Sequence, residues 1–162
     1  MRENIKLKLD YRSQNSNGWP LIMIKINDNI IDRIEANSSS WEGAASLNLT
    51  SKNTLKIEHY GKNHLTDSNP DKYFELSKIY INDVDLKHHI HKFRQIAYLP
   101  PWDNVFPPED SLYLGHNGTL ILEFTSPTDK WIQNLFNINN ETMDGQQTTR
   151  EVLAQIKEYF NV

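Results

Sequence analysis

From Ile5 to Phe124 the chain is written in short apolar runs, interrupted about every 8 to 12 residues by Asn, Asp, Gly, Ser or Pro. Within these runs apolar residues recur at every second position, the period of a strand with one buried face. Ile5, Leu7 and Leu9 alternate with lysines, and Ala45, Leu47 and Leu49, then Leu55, Ile57 and His59, repeat the pattern. The spacing predicts an all-β core, an antiparallel β-sandwich. After Pro127 the period lengthens. Trp131, Leu135 and Ile138, then Val152, Ile156 and Tyr159, recur at helical spacing. This predicts a short helix over 128–136 and a C-terminal helix over 149–160 with Thr149 as its N-cap. Residues 1–138 are assigned to the sandwich, and 139–162 to a polar linker and C-terminal helix.

The turn residues suggest how the strands connect. Asn27-Asp28-Asn29 between Leu21–Ile26 and Ile30–Glu35 predicts a hairpin, since Asn and Asp tolerate the left-handed backbone that tight turns need. The same reasoning predicts a second hairpin across residues 50–53 and a last one across Gly115-His116-Asn117-Gly118. Tyr73 to Ile81 has apolar residues on both faces, as expected of a long strand with a bulge or kink. Asn82-Asp83 then turns the chain into Val84-Asp85-Leu86, and a further strand is predicted through His89, His91 and Phe93 to Tyr98. Pro100, Pro101, Pro107 and Pro108 remove ladder donors and restrict φ, so residues 100–108 are expected to form a semi-rigid loop that projects from the sandwich.

Composition excludes several functional classes. Seventeen Lys and Arg against 21 Asp and Glu leave a net charge of -4, without the positive field expected of a general nucleic-acid binder. No apolar run approaches the roughly 18 residues needed to cross a bilayer, so no membrane insertion is expected. The opening residues Met1 to Lys8 lack the apolar core of a secretory signal, so a cytoplasmic or virion-associated location is expected. Cysteine is absent, which removes disulfides, thiolate metal sites and cysteine nucleophiles. The 18 Asn and 16 Ile beside 4 Val and 5 Ala are the imprint of AT-rich codons, pointing to a low-GC bacterium or its virus. Asn37, Asn48, Asn117 and Asn140 stand in Asn-x-Ser/Thr sequons, read as unmodified in so Asn-rich a chain.

No constellation supports catalysis. There is no Gly-x-Ser-x-Gly elbow and no pair of carboxylates that the pattern places across a cleft. His89 and His91, two apart on a predicted strand, would share a face and could hold zinc if His59, His64 or His116 supplied a third ligand. The competing interpretation, a basic half-exposed strand with ordinary polar histidines, is favoured. Asp67, Asp71 and Asp83 lie in loops beside Asn69, Asn82 and Asp85, and such hard oxygen donors suit calcium, although Asp and Asn are also the default residues of turns. Aromatic side chains are the remaining signal. Trp102, Trp41, Tyr60 and Tyr98 sit at or beside predicted loops, where a flat ring can stack on a sugar or anchor a protein partner. Each could equally plug an end of the sandwich.

The run Asp71-Lys72-Tyr73-Phe74-Glu75-Leu76-Ser77-Lys78-Ile79-Tyr80-Ile81-Asn82-Asp83 resembles the central strand of calcium-dependent, xylan-binding-type carbohydrate-binding modules. There an acidic loop leads into Asp-Arg-Asn-Leu-Tyr-Val-Asp-Tyr-Ile and a Val-Asn-Gly turn. Leu21 to Ile34 is similar to that family's early hairpin. The resemblance implies a β-jelly roll, a calcium ion and a glycan ligand. Asp71 carries over; Ser77 stands where the family has its second carboxylate, and the upstream Asn-Asp pair is replaced near His59-Tyr60. The expected function is a non-catalytic, lectin-like domain with glycan as partner. The alternative is a phage virion or assembly protein acting through contacts with other protein subunits, including a homo-oligomer.

Overall fold

The computed structural model describes residues 1–15, 17–49, 51–63, 72–90, 94–108 and 111–142. The alternation read from the sequence forms two antiparallel sheets packed face to face. One sheet holds β1 (Arg2–Gln14), β4 (Ser40–Asn48), β6 (Tyr73–Ile81), β7 (Val84–Asp85) and β9 (Tyr113–Leu114). Its order is β4-β1-β6-β7, with β9 also pairing β6. The other sheet holds β2 (Leu21–Ile26), β3 (Asn29–Glu35), β5 (Lys52–Tyr60), β8 (Arg94–Tyr98) and β10 (Gly118–Thr125), in the order β3-β2-β5-β10-β8. The chain passes repeatedly from one sheet to the other, as in jelly rolls. The interior is made by alternate residues of both sheets, among them Leu7, Leu9, Ile24, Ile57, Ile79 and Leu120, all fully buried.

One predicted hairpin and one predicted turn form. Asn27 and Asp28 join β2 to β3 with φ of 49° and 65°, and Asn82 and Asp83 join β6 to β7 with φ of 49° and 66°. The bulge expected in β6 is present. Tyr11 faces Leu76 while Asp10 faces Lys78, so Ser77 is the unpaired extra residue. It flips the strand's face, which explains why Phe74 and Leu76 before it and Ile79 and Ile81 after it are all buried.

Two other predicted hairpins do not form. β4 pairs with β1 and β5 with β2 and β10, so residues 49–51 carry the chain across the sandwich. β9 pairs with β6 while β10 pairs with β5 and β8, so Asn117-Gly118 closes no hairpin. Neither residue adopts a positive φ. Gly118 is needed for a different reason, since a Cβ there would come within 2.6 Å of the Ala97 carbonyl oxygen. Of the strand predicted through His89, His91 and Phe93 to Tyr98, β8 covers Arg94–Tyr98, and residues 91–93 lie outside the described residues. Residues 87–90 are turns, in which Leu86 accepts bonds from the His89 and Ile90 amides.

The helix after Pro127 is longer than its apolar period suggests. α1 (Thr128–Thr142) runs through residues 139–142, where a linker was expected, because backbone i to i−4 bonds continue without any apolar stripe. Glu3 receives its N-terminus. The Thr128 amide donates to both Glu3 carboxylate oxygens at 3.0 and 3.1 Å, a carboxylate at the positive end of the helix. Ile132, Leu135 and Phe136 then close one side of the core. Among the described residues, no helix is long and apolar enough to cross a membrane. The C-terminal helix predicted over 149–160 lies outside the described residues.

Candidate functional site

Strand direction sorts the connections between two ends of the sandwich. The β2–β3 and β6–β7 turns, the β4–β5 crossing and the start of α1 share one end. The other, the loop end, gathers residues 15–20, 36–39, 61–63, 99–108 and 111–117. Most of the sequence's aromatic candidates fall there.

A polar clamp sets the geometry of this end. Asn117 accepts from the Lys62 amide at 2.9 Å and donates to the Lys62 carbonyl at 2.8 Å, so one amide side chain ties residues 61–63 to 115–118 as a strand partner would. The Lys62 ammonium is buried and donates to the Gly115 carbonyl. The Leu99 amide donates to the Asn117 carbonyl at 2.8 Å, fastening the proline-rich loop to the same hub. Below it, His59 Nδ1 meets the Leu114 carbonyl at 2.9 Å, and the Tyr98 hydroxyl donates to the Tyr113 carbonyl at 3.1 Å. Sequence reading missed Lys62 and took Asn117 for a turn residue. Its amide is committed within the fold.

Trp102 lies on this hub. Its amide bonds back to the Leu99 carbonyl at 3.0 Å and its own carbonyl accepts the Val105 amide at 3.0 Å, so two successive turns shape the loop around it. The indole stacks on the His116 imidazole, with ring centroids 4.3 Å apart and planes 17° from parallel. Tyr98 meets the same imidazole edge-on at 5.3 Å. Trp102 is partly buried, and its loop also carries Asp103, Asn104 and Phe106 in exposed positions, Phe106 at 87%. The loop therefore projects as expected, while its tryptophan is drawn back onto the body.

The other aromatic candidates divide. Tyr60 is half-buried at the end of β5, opposite Leu21, and borders the loop end. Tyr98 is buried at 8% exposure and serves as a support beneath His116. Trp41 is also buried, lying over Gly43 with its Nε1–H donated to Asp32 at 2.8 Å, so it seals the edge between β3 and β4. Neither Tyr98 nor Trp41 offers a ring face to a ligand. Period-two patterning placed them near loops but cannot tell a strand's inward end from an outward one.

Of the three acidic candidates, Asp83 alone is among the described residues. Asp67 and Asp71 lie outside the described residues. Asp83 is exposed in the β6–β7 turn, with the Lys6 ammonium 3.9 Å away, a poor neighbour for a cation. The nine residues of β6 separate it from Lys72, a span of about 30 Å. Among the described residues no group of three His, Asp or Glu side chains is placed to hold a metal, and Ser77 occupies the β6 bulge where the resembled family has a carboxylate. The described residues thus do not assemble that family's calcium site. Of the histidines, His89 packs edge-on against Phe136 at 4.6 Å, His59 and His116 sit at the loop end, and His64 and His91 lie outside the described residues. Two shallow cavities of about 210 Å³ lie away from the loop end, one beside Trp131 and one flanked by the Lys6–Asp83 and Lys8–Glu42 ion pairs.

No protein-family model matches the chain, and no curated protein matches it. Among solved structures it is similar to a selenomethionine form of vCBM60, reported with a circular permutation linking two families of calcium-dependent carbohydrate binding modules. That match covers 73% of this chain and 89% of the other, with 13% identity and a TM-score of 0.48. It is also similar to vCBM60 in complex with galactobiose, over 72% of this chain and 96% of the other, with 12% identity and a TM-score of 0.49. The resemblance to calcium-dependent carbohydrate-binding modules is distant, and galactobiose is the ligand of that protein.

Proposed function

We propose that the chain is a non-catalytic carbohydrate-binding domain that receives glycan on its loop end. The observation that carries this reading is the Trp102 indole, laid parallel on His116 in a loop shaped by successive turns. A flat ring whose orientation is set before the ligand arrives loses little entropy when the apolar C–H face of a sugar stacks on it. Asp103 and Asn104, the next residues in the loop, are exposed and supply carboxylate and amide groups for sugar hydroxyls. The sequence likeness of residues 71–83 to carbohydrate-binding modules supports the same class.

A second reading is favoured by one feature of the same loop. Leu99, Val105 and Phe106 are exposed at 56%, 38% and 87%, an apolar group suited to another protein subunit, as in a virion or assembly role. A glycan array, run with calcium and with a chelator and followed by calorimetry on the best ligand, separates the two. Binding weakened about 30-fold by Trp102→Ala, or about 2 kcal/mol, supports the glycan reading, and silence in both arms refutes it. A calcium requirement would support the expected ion, for which Asp67→Ala and Asp71→Ala then test the candidate ligands.

A further inference from the structure

Among the described residues, β4 is a strand edge that is neither shortened nor bulged. β4 pairs only with β1 among the described residues, and all nine of its residues keep an unbroken register. The other edges are blunted. β7 and β9 have two residues each, β8 has five, and β3 is bulged at Ile31 and exposes Arg33 and Glu35. The sequence of β4, Ser-Trp-Glu-Gly-Ala-Ala-Ser-Leu-Asn, holds neither the proline nor the lysine with which exposed edges are usually protected.

The ladder shows which backbone groups point outward. Leu49 bonds to Met1 and Tyr11 bonds to Ser39 in the same register as β1–β4, so the odd-numbered residues of β4 exchange bonds with β1. Alternate residues of an antiparallel strand face opposite neighbours, so Ser40, Glu42, Ala44, Ser46 and Asn48 turn their amides and carbonyls away from β1. The carbonyls at the two ends are occupied, Ser40 by the Ser38 hydroxyl at 3.0 Å and Asn48 by the Ser51 hydroxyl at 2.7 Å. Glu42, Ala44 and Ser46 remain open, with exposed side chains, and they are symmetric about Ala44.

We propose that β4 is a self-pairing edge, which a second copy of this chain extends antiparallel about a two-fold axis at Ala44. In that register Ala44 meets the partner subunit's Ala44 and Glu42 meets the partner subunit's Ser46. No like charges are opposed, and about six backbone hydrogen bonds form. A two-fold axis normal to the sheet reverses strand direction, so the two loop ends point away from each other.

Sedimentation equilibrium of the full chain from about 1 to about 500 μM tests this. A monomer–dimer equilibrium is expected. Ala44→Lys sets two ammonium groups together on the axis and should weaken the dimer at least about 10-fold, while circular dichroism, and melting at concentrations where the parent chain is monomeric, stay unchanged because the side chain is exposed. Ser46→Lys brings an ammonium opposite the partner's Glu42 and should leave the dimer as tight or tighter, now sensitive to salt. Ala44→Pro, which deletes an amide that β1 does not use, gives an independent disruption. A monomer throughout the range, a dimer that Ala44→Lys and Ala44→Pro leave intact, or a Ser46→Lys variant as dissociated as Ala44→Lys would each overturn the proposal.

Discussion

Replacing Asn53 by alanine tests how the end opposite the candidate site is held together. Asn53 is the second residue of β5 and is almost wholly buried, at 1% exposure. Its carbonyl oxygen accepts from the Asn27 amide group at 2.8 Å, and its own amide nitrogen donates to the Ser126 hydroxyl at 2.9 Å and to the Ser51 carbonyl at 3.1 Å. One side chain thus joins the β2–β3 turn, the β4–β5 crossing and the corner before α1. Three such bonds contribute about 1 kcal/mol each, and Ser126, itself buried, would be left with its hydroxyl unmatched. Asn53→Ala should therefore cost about 2 to 4 kcal/mol, which for a chain of this length lowers the melting temperature by roughly 5 to 15 °C. Urea unfolding followed by tryptophan fluorescence should show an earlier midpoint with an unchanged slope. Glycan binding at saturating folded protein should be unaffected, because the loop end lies a full strand length away. A stability change below about 0.5 kcal/mol would mean that water replaces the amide without loss, and would refute the hub.

Gly43→Ala would overlap the Trp41 ring and force it off Asp32, so a loss of about 1 to 3 kcal/mol in thermal denaturation is expected. Trp102→Ala, partly buried against the core and stacked on His116, should cost about 2 kcal/mol of stability; an unchanged melt would show that the stack holds nothing, and a loss above about 4 kcal/mol would make the indole a core plug. The Asp28 carboxyl is held below its ordinary pKa, first by the hydrogen bond from Lys56 at 2.6 Å and then by that ammonium's charge. A depressed carboxylate favours the fold above its unfolded pKa and loses that contribution as pH falls through the folded value. Carbon-detected NMR titration should show Asp28 titrating low in the parent chain and returning toward the ordinary value in Lys56→Met.

The all-β core, the β2–β3 hairpin, the β6–β7 turn and the β6 bulge were legible in the sequence because each rests on local chemistry. Alternation reports which face of a strand is buried, and Asn27-Asp28 and Asn82-Asp83 carry the left-handed backbone that a two-residue turn demands. Which sheet a strand joins is not local. Both sheets bury their apolar faces against the same interior, so β4 and β5, or β9 and β10, read identically whether they pair or part. Only the packed structure placed them in opposite sheets, and with that it buried Trp41 and Tyr98, set Trp102 upon His116, parted Asp83 from Lys72 by the length of β6, and left Glu42, Ala44 and Ser46 facing outward along an unblunted edge.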